Sequence, residues 1–296
     1  MKSKTTNRWE GFMKGVFLLS ALLAVFSLVM IIVFIFANGL PFMLEYGIGD
    51  FIFGTEWAPT NDWSVEDPSG SFGILPMIVG SIYVTIGAVI IGVPIGILTS
   101  IYLAEFAPPK IKGFLTNSVS LMAAIPSVVY GFFGMQVFVP WIRETFGGPG
   151  FSMLAAMLVL GIMILPTIIN LSVTSIEAVP RVFYNGGVAL GATHERSVFT
   201  IVIPAARSGI ISSVILGVGR AIGETMAVQL VAGNQPTFPD GLTDGVRTLT
   251  ANVVLEMAYA SGTHREALIS TAVILFIFIL IINGVFLVVK NRGESY

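Results

Sequence analysis

The 296-residue chain has no cysteine and few charged residues. Without cysteine it can form neither a disulfide framework nor a thiolate metal or redox centre. Charged residues make up 11% of the chain, less than half of the roughly 25% typical of a soluble globular domain. Hydrophobic residues make up 55% and the mean hydropathy is +0.89, which excludes a disordered chain and an ordinary cytosolic enzyme. The composition therefore predicts a multi-span integral membrane protein.

The chain also lacks the short motifs of catalytic sites. Neither a G-x-x-x-x-G-K-[ST] phosphate-binding loop nor a G-x-S-x-G nucleophile motif occurs. The two histidines, His194 and His264, are predicted on opposite sides of the membrane, so they cannot share an H-E-x-x-H zinc site. We therefore expect a non-catalytic chain that binds no cofactor itself. Energy for active transport would come from an ion gradient or from a second subunit that hydrolyses ATP.

Long uncharged runs predict an all-α membrane protein with six transmembrane helices. A spanning helix needs about 20 largely apolar residues, and five runs between consecutive charges exceed that length. A sixth segment, 208–233, is apolar and rich in small residues but contains Arg220 and Glu224. The helices are predicted at 15–38, 75–104, 114–141, 151–174, 205–233 and 267–289.

Basic residues are distributed unevenly between the connecting segments. With the N-terminus inside, the cytoplasmic segments hold eleven Lys and Arg residues and the outer segments hold three. The reverse orientation would invert this asymmetry, so both termini are predicted to be cytoplasmic. We expect an anchor helix and an extracytoplasmic segment at 1–74, the main membrane domain at 75–289 and a cytoplasmic tail at 290–296.

The outer segment 39–74 is acidic and holds no basic residue. It is either a solvated cap that connects two helices or a docking surface for an outside partner. Its aromatic side chains are candidate anchors of such a contact, or members of the aromatic belt at the lipid headgroups. They are Phe51, Phe53, Trp57 and Trp63.

The charged pair inside the fifth predicted helix is the main candidate for a substrate path. Arg220 lies about 13 residues, or about 19 Å, from each end of the segment, too far to reach the interface. The i, i+4 spacing predicts that Glu224 lies on the same helix face and pairs with it. The pair either locks two helices together or forms an anion path. In the second case the guanidinium would bind a tetrahedral oxyanion in a bidentate manner, and Glu224 would neutralise it when the anion is absent.

Ser127 and Tyr130 are further candidates for the path, because they lie beside Pro126 in the third predicted helix. A proline frees backbone carbonyl groups, which can line a path through the membrane. The alternative is a kink that serves packing alone.

The segment 175–207 is the longest predicted cytoplasmic connection, and its apolar spacing predicts short helices. Gly191 accommodates a turn, and the chain is predicted to re-enter the membrane at Pro204. The segment either seats in a groove of a cytoplasmic subunit or lies on the headgroups as an amphipathic helix. Its candidate coupling residues are Asn185, Gly186, Gly187, Ala189, Leu190, Gly191, Ala192, Ile201 and Pro204.

Two sequence runs carry a resemblance to a known family. Gly-Gly-Val-Ala-Leu-Gly-Ala-Thr at 186–193, followed by Ile-Val-Ile-Pro at 201–204, resembles the EAA loop of ABC-importer permeases. Asn185 stands at the position of that family's glutamate, so a salt bridge of that glutamate is not carried over. Gly-Arg-Ala-Ile-Gly-Glu-Thr-Met-Ala-Val at 219–228 is similar to the permeases of phosphate-specific ABC importers of the PstC type. Further agreement lies at 72–76, 101–108 and 125–131.

The resemblance covers residues 50–289 and implies a type I ABC importer permease fold. It implies uptake of inorganic phosphate through a heterodimer with a sister permease, in the plasma membrane of a prokaryote. It also implies two cytoplasmic ATPase subunits that bind ATP and Mg²⁺, and an extracytoplasmic phosphate-binding protein, with membrane lipid around the chain and no nucleic acid. Three alternatives stay open: a permease for sulfate, molybdate or phosphonate, an ion-coupled carrier that works alone, and a membrane anchor or sensor.

Overall fold

The computed structural model describes residues 4–59 and 70–293 of the chain. These residues are mainly helical, and two short strands among them form an antiparallel sheet that pairs Trp57 with Phe72. Two π-helical turns occur, at Tyr102–Phe106 and Val198–Val202. The elements are α1 Lys4–Tyr46, α2 Ile48–Phe53, β1 Trp57–Ala58, β2 Ser71–Phe72, α3 Leu75–Ile101, α4 Pro109–Ala124, α5 Ser127–Phe146, α6 Met153–Glu177, α7 Arg181–Ala189, α8 His194–Ser197, α9 Ile203–Ala205, α10 Arg207–Gly223, α11 Met226–Val231, α12 Leu249–Glu256 and α13 Gly262–Gly293.

The prediction of an all-α membrane protein is confirmed. Within the described residues, four helices are long and apolar enough to cross a membrane: Trp9–Tyr46, Leu75–Phe106, Met153–Glu177 and Gly262–Phe286. Two further pairs of helices pass the same test together but are bent, α4 with α5 by 98° and the segment from α8 to α10 by 67°. The number of spans is therefore four, or six when each bent pair counts as one broken span.

The third predicted helix, 114–141, is broken rather than continuous. Helix α4 ends at Ala124, and Ile125 is extended with φ −70° and ψ 126°. The cause is Pro126, which has no amide hydrogen to continue the helix and disfavours a helical conformation at the residue before it. Two helices at a steep angle therefore replace the single predicted span.

Helix α6 forms the centre of the bundle. Of its most apolar stretch 61% is buried, against 33% for α3 and 22% for α13. Glycines on α3 allow close approach, since a Cβ at Gly92 would lie 2.7 Å from the carbonyl oxygen of Gly161. On α10, a Cβ at Gly217 would lie 2.9 Å from the side chain of Ile168. Small residues thus bring α3 and α10 against α6, as is common between helices in membranes.

Helix α1 meets the bundle only in its second half. It begins before the predicted 15–38 and ends beyond it. Residues such as Trp9 and Phe26 are exposed. Its contact with α13 is close at Gly39, whose carbonyl oxygen accepts a hydrogen bond from the Ser270 hydroxyl at 2.8 Å. The first half of α1 is therefore exposed and apolar.

We call the end of the bundle that carries residues 175–207 the loop end, and the opposite end, with residues 234–261, the far end.

At the far end one buried carboxylate joins four segments. Glu256 is 6% exposed and accepts a hydrogen bond from the Trp57 indole at 2.9 Å. His264 Nε2 lies 2.8 Å from the same oxygen, and Arg247 pairs with the other oxygen at 2.5 Å. Arg247 also donates to Asn252 at 3.1 Å. We call these five side chains the far-end network.

The far-end network corrects the prediction for the aromatic residues of 39–74. Phe51 and Trp57 are buried in an apolar cluster with Phe42 and Phe72, so they anchor the segment to its own bundle and not to a partner or to headgroups. Phe53 is exposed. Trp63, like the rest of 60–69, lies outside the described residues.

We predict that Glu256→Ala lowers the stability of the protein strongly. The change leaves the Arg247 guanidinium in a largely buried position without its counter-charge, which costs about 3–5 kcal/mol for a buried pair. Thermal unfolding of the detergent-solubilised protein measures the effect. Glu266→Ala, at an exposed position of α13, is the matched control and should change the midpoint little. Equal midpoints for the two variants would contradict the prediction.

Candidate substrate path and coupling loop

The fifth predicted helix, 205–233, breaks at the candidate path. Helix α10 ends at Gly223, and Glu224 is extended with φ −72° and ψ 130°. The Glu224 carboxylate accepts a hydrogen bond from the amide of Ala227 at 3.0 Å. The backbone carbonyl oxygen of Glu224 accepts one from the Thr250 hydroxyl at 3.1 Å. These bonds satisfy backbone groups that a continuous helix would have paired internally. The prediction of one unbroken helix through both charges is therefore wrong.

Arg220 does not pair with Glu224, so this prediction is wrong as well. The i, i+4 rule needs a helix that continues, and the chain turns away at Glu224. Among the described residues, the hydrogen bond of the half-buried guanidinium goes to the Thr167 hydroxyl at 3.3 Å, and no ion pair includes Arg220. A guanidinium has more donors than one hydroxyl can accept. The remaining donors are available to an anion.

The surface beside Arg220 is open. Apart from chain neighbours and the local backbone of α10, no described atom lies within 4 Å of the position that a Cβ would take at Gly219 or at Gly223. The two glycines are four residues apart and so share one face of α10. A ligand or a neighbouring chain can therefore approach the backbone next to the guanidinium.

Tyr130 and Ser127 lie at the other helix break. Ser127 is the first residue of α5. The buried Tyr130 donates its hydroxyl to the carbonyl oxygen of Met122 at 2.8 Å. This bond crosses the break and satisfies a carbonyl at the end of α4, so the tyrosine holds the bend in place.

The structure brings the two breaks together. Helix α5 packs on α11, and a Cβ at Gly131 would lie 2.9 Å from the Cα of Ala227. Arg220 lies in the last turn of α10, immediately before the break at Glu224. The four candidate path residues thus gather where two interrupted spans meet.

The coupling loop, residues 175–207, has the predicted short helices and turn. Gly191 has a positive φ of 83°, which favours glycine. The amide of Ala192 donates to the Gly187 carbonyl oxygen at 3.1 Å, and a Cβ at Gly187 would lie 2.5 Å from Ile201. Pro204 lies in α9, just before the chain enters α10. These contacts fold the loop into an elbow.

The elbow exposes an apolar surface. Leu190 is 92% exposed, and exposed apolar surface of this kind marks contact sites for proteins or membranes. Glu195 lies at the edge of this surface. Hydrogen bonds from the Glu195 backbone amide and from the Thr193 hydroxyl hold the pKa of the Glu195 carboxyl group below its usual value. The other large apolar residues exposed on α7 are Val182, Phe183 and Val188. Asn185, Gly186 and Ala189 are exposed beside them.

A second buried carboxylate fastens the coupling loop to the end of α3. The Glu105 side chain is 2% exposed and pairs with Arg181 at 2.9 Å. His194 Nε2 lies 3.2 Å from the Glu105 carbonyl oxygen, and its Nδ1 lies 2.9 Å from the Tyr184 hydroxyl. We call these four residues the loop tie.

Sequence reasoning missed both the loop tie and the far-end network. Their one local signal is that each contains one of the chain's two histidines.

Residues 92–292 match the family described as binding-protein-dependent transport system inner membrane component. The chain belongs to that family. It is 37% identical over 89% of its length to the probable ABC transporter permease protein YqgH of Bacillus subtilis, covering 86% of that protein. It is 31% identical to the phosphate transport system permease protein PstC of Pasteurella multocida, over 90% of this chain and 89% of that one.

A solved structure agrees with this fold. The chain resembles one in a bacterial ABC transporter involved in the import of the acidic polysaccharide alginate, with a TM-score of 0.63 and 12% identity. The match covers 97% of this chain and 99% of the other. The type I ABC importer permease fold is therefore confirmed.

We predict that Glu105→Ala loosens the coupling loop. Without the carboxylate, Arg181 loses its link to the end of α3, and local opening of the loop requires less free energy. Trypsin should then cut after the exposed Arg196 several-fold faster in the folded protein. Glu177→Ala, which removes the exposed pair with Lys112, should leave the rate almost unchanged. Equal acceleration by both changes would contradict the prediction.

Proposed function

We propose that this chain is the transmembrane permease subunit of an ABC importer that carries inorganic phosphate into the cytoplasm. The observation that carries the proposal is Arg220, a half-buried guanidinium at the end of an interrupted span, with free donors and an open glycine face beside it. A guanidinium matches a tetrahedral oxyanion in geometry and keeps its charge when desolvated. The similarity to PstC of Pasteurella multocida supports phosphate as the oxyanion.

Glu224 has a positional task in this proposal. Its carboxylate is bonded to the start of α11 and keeps the chain turned away just after Arg220. The guanidinium then faces the path without a paired carboxylate, which favours entry of an anion. A single Arg binds weakly enough to release the anion on the inner side, as conduction requires. High selectivity would reside in an extracytoplasmic phosphate-binding protein.

A second permease completes the path. Arg220, Gly219 and Gly223 lie on an open face of this chain, so the opposite wall comes from another polypeptide. We assign that wall to a sister permease in a heterodimer. Arg220 and its surroundings are then half of a conduit.

In this proposal the coupling loop contacts a cytoplasmic ATPase subunit. Its exposed Leu190 surface would seat in one of two cytoplasmic ATPase subunits, which bind the ATP and Mg²⁺. The loop tie joins this surface to α3, so a push on the loop reaches the membrane spans. In this proposal the loop end and both termini lie in the cytoplasm, and the protein resides in the plasma membrane of a prokaryote.

We predict that Arg220→Gln abolishes phosphate uptake while the complex still assembles. Glutamine retains polar atoms but has no charge for the oxyanion. Uptake of labelled phosphate by cells that express the whole transporter measures the effect, with sulfate as competitor. Arg265→Gln, at an exposed far-end position, should transport normally. Normal uptake by Arg220→Gln would refute the proposed role, and competition by sulfate would reassign the cargo.

We predict that Leu190→Glu separates the chain from its ATPase. A charge at the centre of an apolar contact should lower the amount of co-purified ATPase about tenfold or more. Leu242→Glu changes an equally apolar residue that is exposed at the far end, and co-purification should be unaffected. Retention of the ATPase by Leu190→Glu would place the loop on the headgroups instead.

A further inference from the structure

The sequence favours an ion pair that the structure does not contain. Arg220 and Glu224 have the i, i+4 spacing at which opposite charges pair on a helix, and a charge at membrane depth strongly favours a partner. Helix α10 nevertheless ends at Gly223, and Glu224 is extended. Contacts at Glu224 therefore hold it away from the helix that carries Arg220.

Two hydrogen bonds hold Glu224, and they differ in range. The bond from the Ala227 amide to the carboxylate is local, because the two residues are three positions apart. The bond from the Thr250 hydroxyl to the Glu224 carbonyl oxygen, at 3.1 Å, joins residues 26 positions apart. The second bond exists only in the tertiary structure, so Thr250 ties the break to the rest of the bundle.

The Thr250 hydroxyl ends a chain of three hydrogen bonds. The Ala251 amide donates to the Thr248 hydroxyl oxygen at 3.3 Å, and the two threonine hydroxyl oxygens lie 3.0 Å apart. Because the single Thr250 hydroxyl proton goes to Glu224, Thr248 donates to Thr250. Both threonines are buried. Thr248 thus caps α12, and the Thr250 hydroxyl is left to bind Glu224.

The segment that carries Thr250 is itself firmly held. The Leu249 amide donates to the Ser81 hydroxyl of α3 at 2.9 Å. Beyond the other end of α11, the Val246 amide donates to the Ala232 carbonyl oxygen at 2.8 Å. Residues 246–250 therefore bond to the chain on both sides of α11 and are anchored on α3, which makes Thr250 a fixed point for the break.

We propose that Thr250 is a positioning residue of the candidate path, whose hydroxyl keeps Arg220 free of Glu224. Without that hydroxyl, α10 can continue through Glu224, and the carboxylate then lies one turn from the guanidinium. The resulting pair neutralises the charge that attracts an anion. The consequence for transport rests on the proposed function, whereas the effect of Thr250 on the charge at Arg220 is independent of the solute.

The absence of cysteine in this chain allows the charge at Arg220 to be measured directly. Gly219→Cys places a single thiol next to Arg220, on the open face of α10. Its rates of reaction with an anionic and with a cationic methanethiosulfonate reagent are measured in the purified, detergent-solubilised chain at low salt, where charges are least screened. An unpaired guanidinium favours the anionic reagent. We expect the ratio of the anionic to the cationic rate to be several-fold higher than in Gly219→Cys/Arg220→Gln.

Three changes in the Gly219→Cys chain then test Thr250. Thr250→Val removes the hydroxyl and keeps the shape of the side chain, so the ratio should fall most of the way to that of the Arg220→Gln chain. Thr250→Ser keeps a hydroxyl and should retain the high ratio. Thr271→Val is the matched control, because the buried Thr271 hydroxyl donates within its own helix, to the Ala267 carbonyl oxygen at 2.9 Å. Its ratio should stay high.

A further change separates ion pairing from misfolding. Glu224→Gln, added to Thr250→Val, removes the carboxylate that would pair with Arg220, so the ratio should return to the high value. A ratio that stays low in this combination would overturn the proposal. A high ratio in Thr250→Val alone would overturn it too, and so would equal ratios in the Gly219→Cys chain with and without Arg220→Gln.

Uptake of labelled phosphate by the whole transporter measures the consequence for transport. Thr250→Val should slow uptake several-fold, and Thr250→Ser should not. Normal uptake by Thr250→Val, together with the expected thiol ratios, would contradict the proposed role of Arg220 in phosphate transport. The role of Thr250 in keeping Arg220 unpaired would then stand, so the two failures are distinguishable.

Discussion

A helix that stops inside the hydrocarbon leaves backbone donors and acceptors without water to bind, and each unsatisfied group costs several kcal/mol. The chain meets this demand at both of its broken spans with side chains. Tyr130 bonds the carbonyl oxygen of Met122 across one break, and Glu224 bonds the amide of Ala227 across the other. The residues that stabilise the two breaks are thus themselves candidate path residues. A charged group can be held at membrane depth because the interrupted backbone around it is already paired.

Buried carboxylates fasten both ends of this interrupted bundle. Glu256 gathers Trp57, Arg247 and His264 at the far end, and Glu105 holds the coupling loop through Arg181 at the other end. In both places the acid is more buried than its arginine. The ends are therefore specified by polar contacts with defined geometry, and the middle is specified by glycines and apolar packing. In the proposed function, firmly tied ends and a divided middle suit spans that tilt as units.

The parts of the fold that depend on local chemistry could be predicted from the sequence. The uncharged run at 75–104 became Leu75–Ile101 with its π-helical extension, and Gly191 makes the predicted turn because only its own φ decides it. The pairing of Arg220 with Glu224 failed because the spacing rule assumes a continuous helix. The Trp57 bond to Glu256 joins residues 199 positions apart. No periodicity along the chain indicates such a contact, which exists only once the helices have packed.

Helix α1 has a consequence for how the protein sits in its bilayer. The chain carries no charge between Lys14 and Glu45, and this stretch is helical throughout. Its length of about 45 Å exceeds the roughly 30 Å of hydrocarbon, so hydrophobic mismatch makes the helix lean or thickens the lipid around it. Gly39 fixes its point of contact with Ser270. Where the helix leans, it leans about that contact, and its exposed N-terminal half extends sideways into the lipid, away from the bundle.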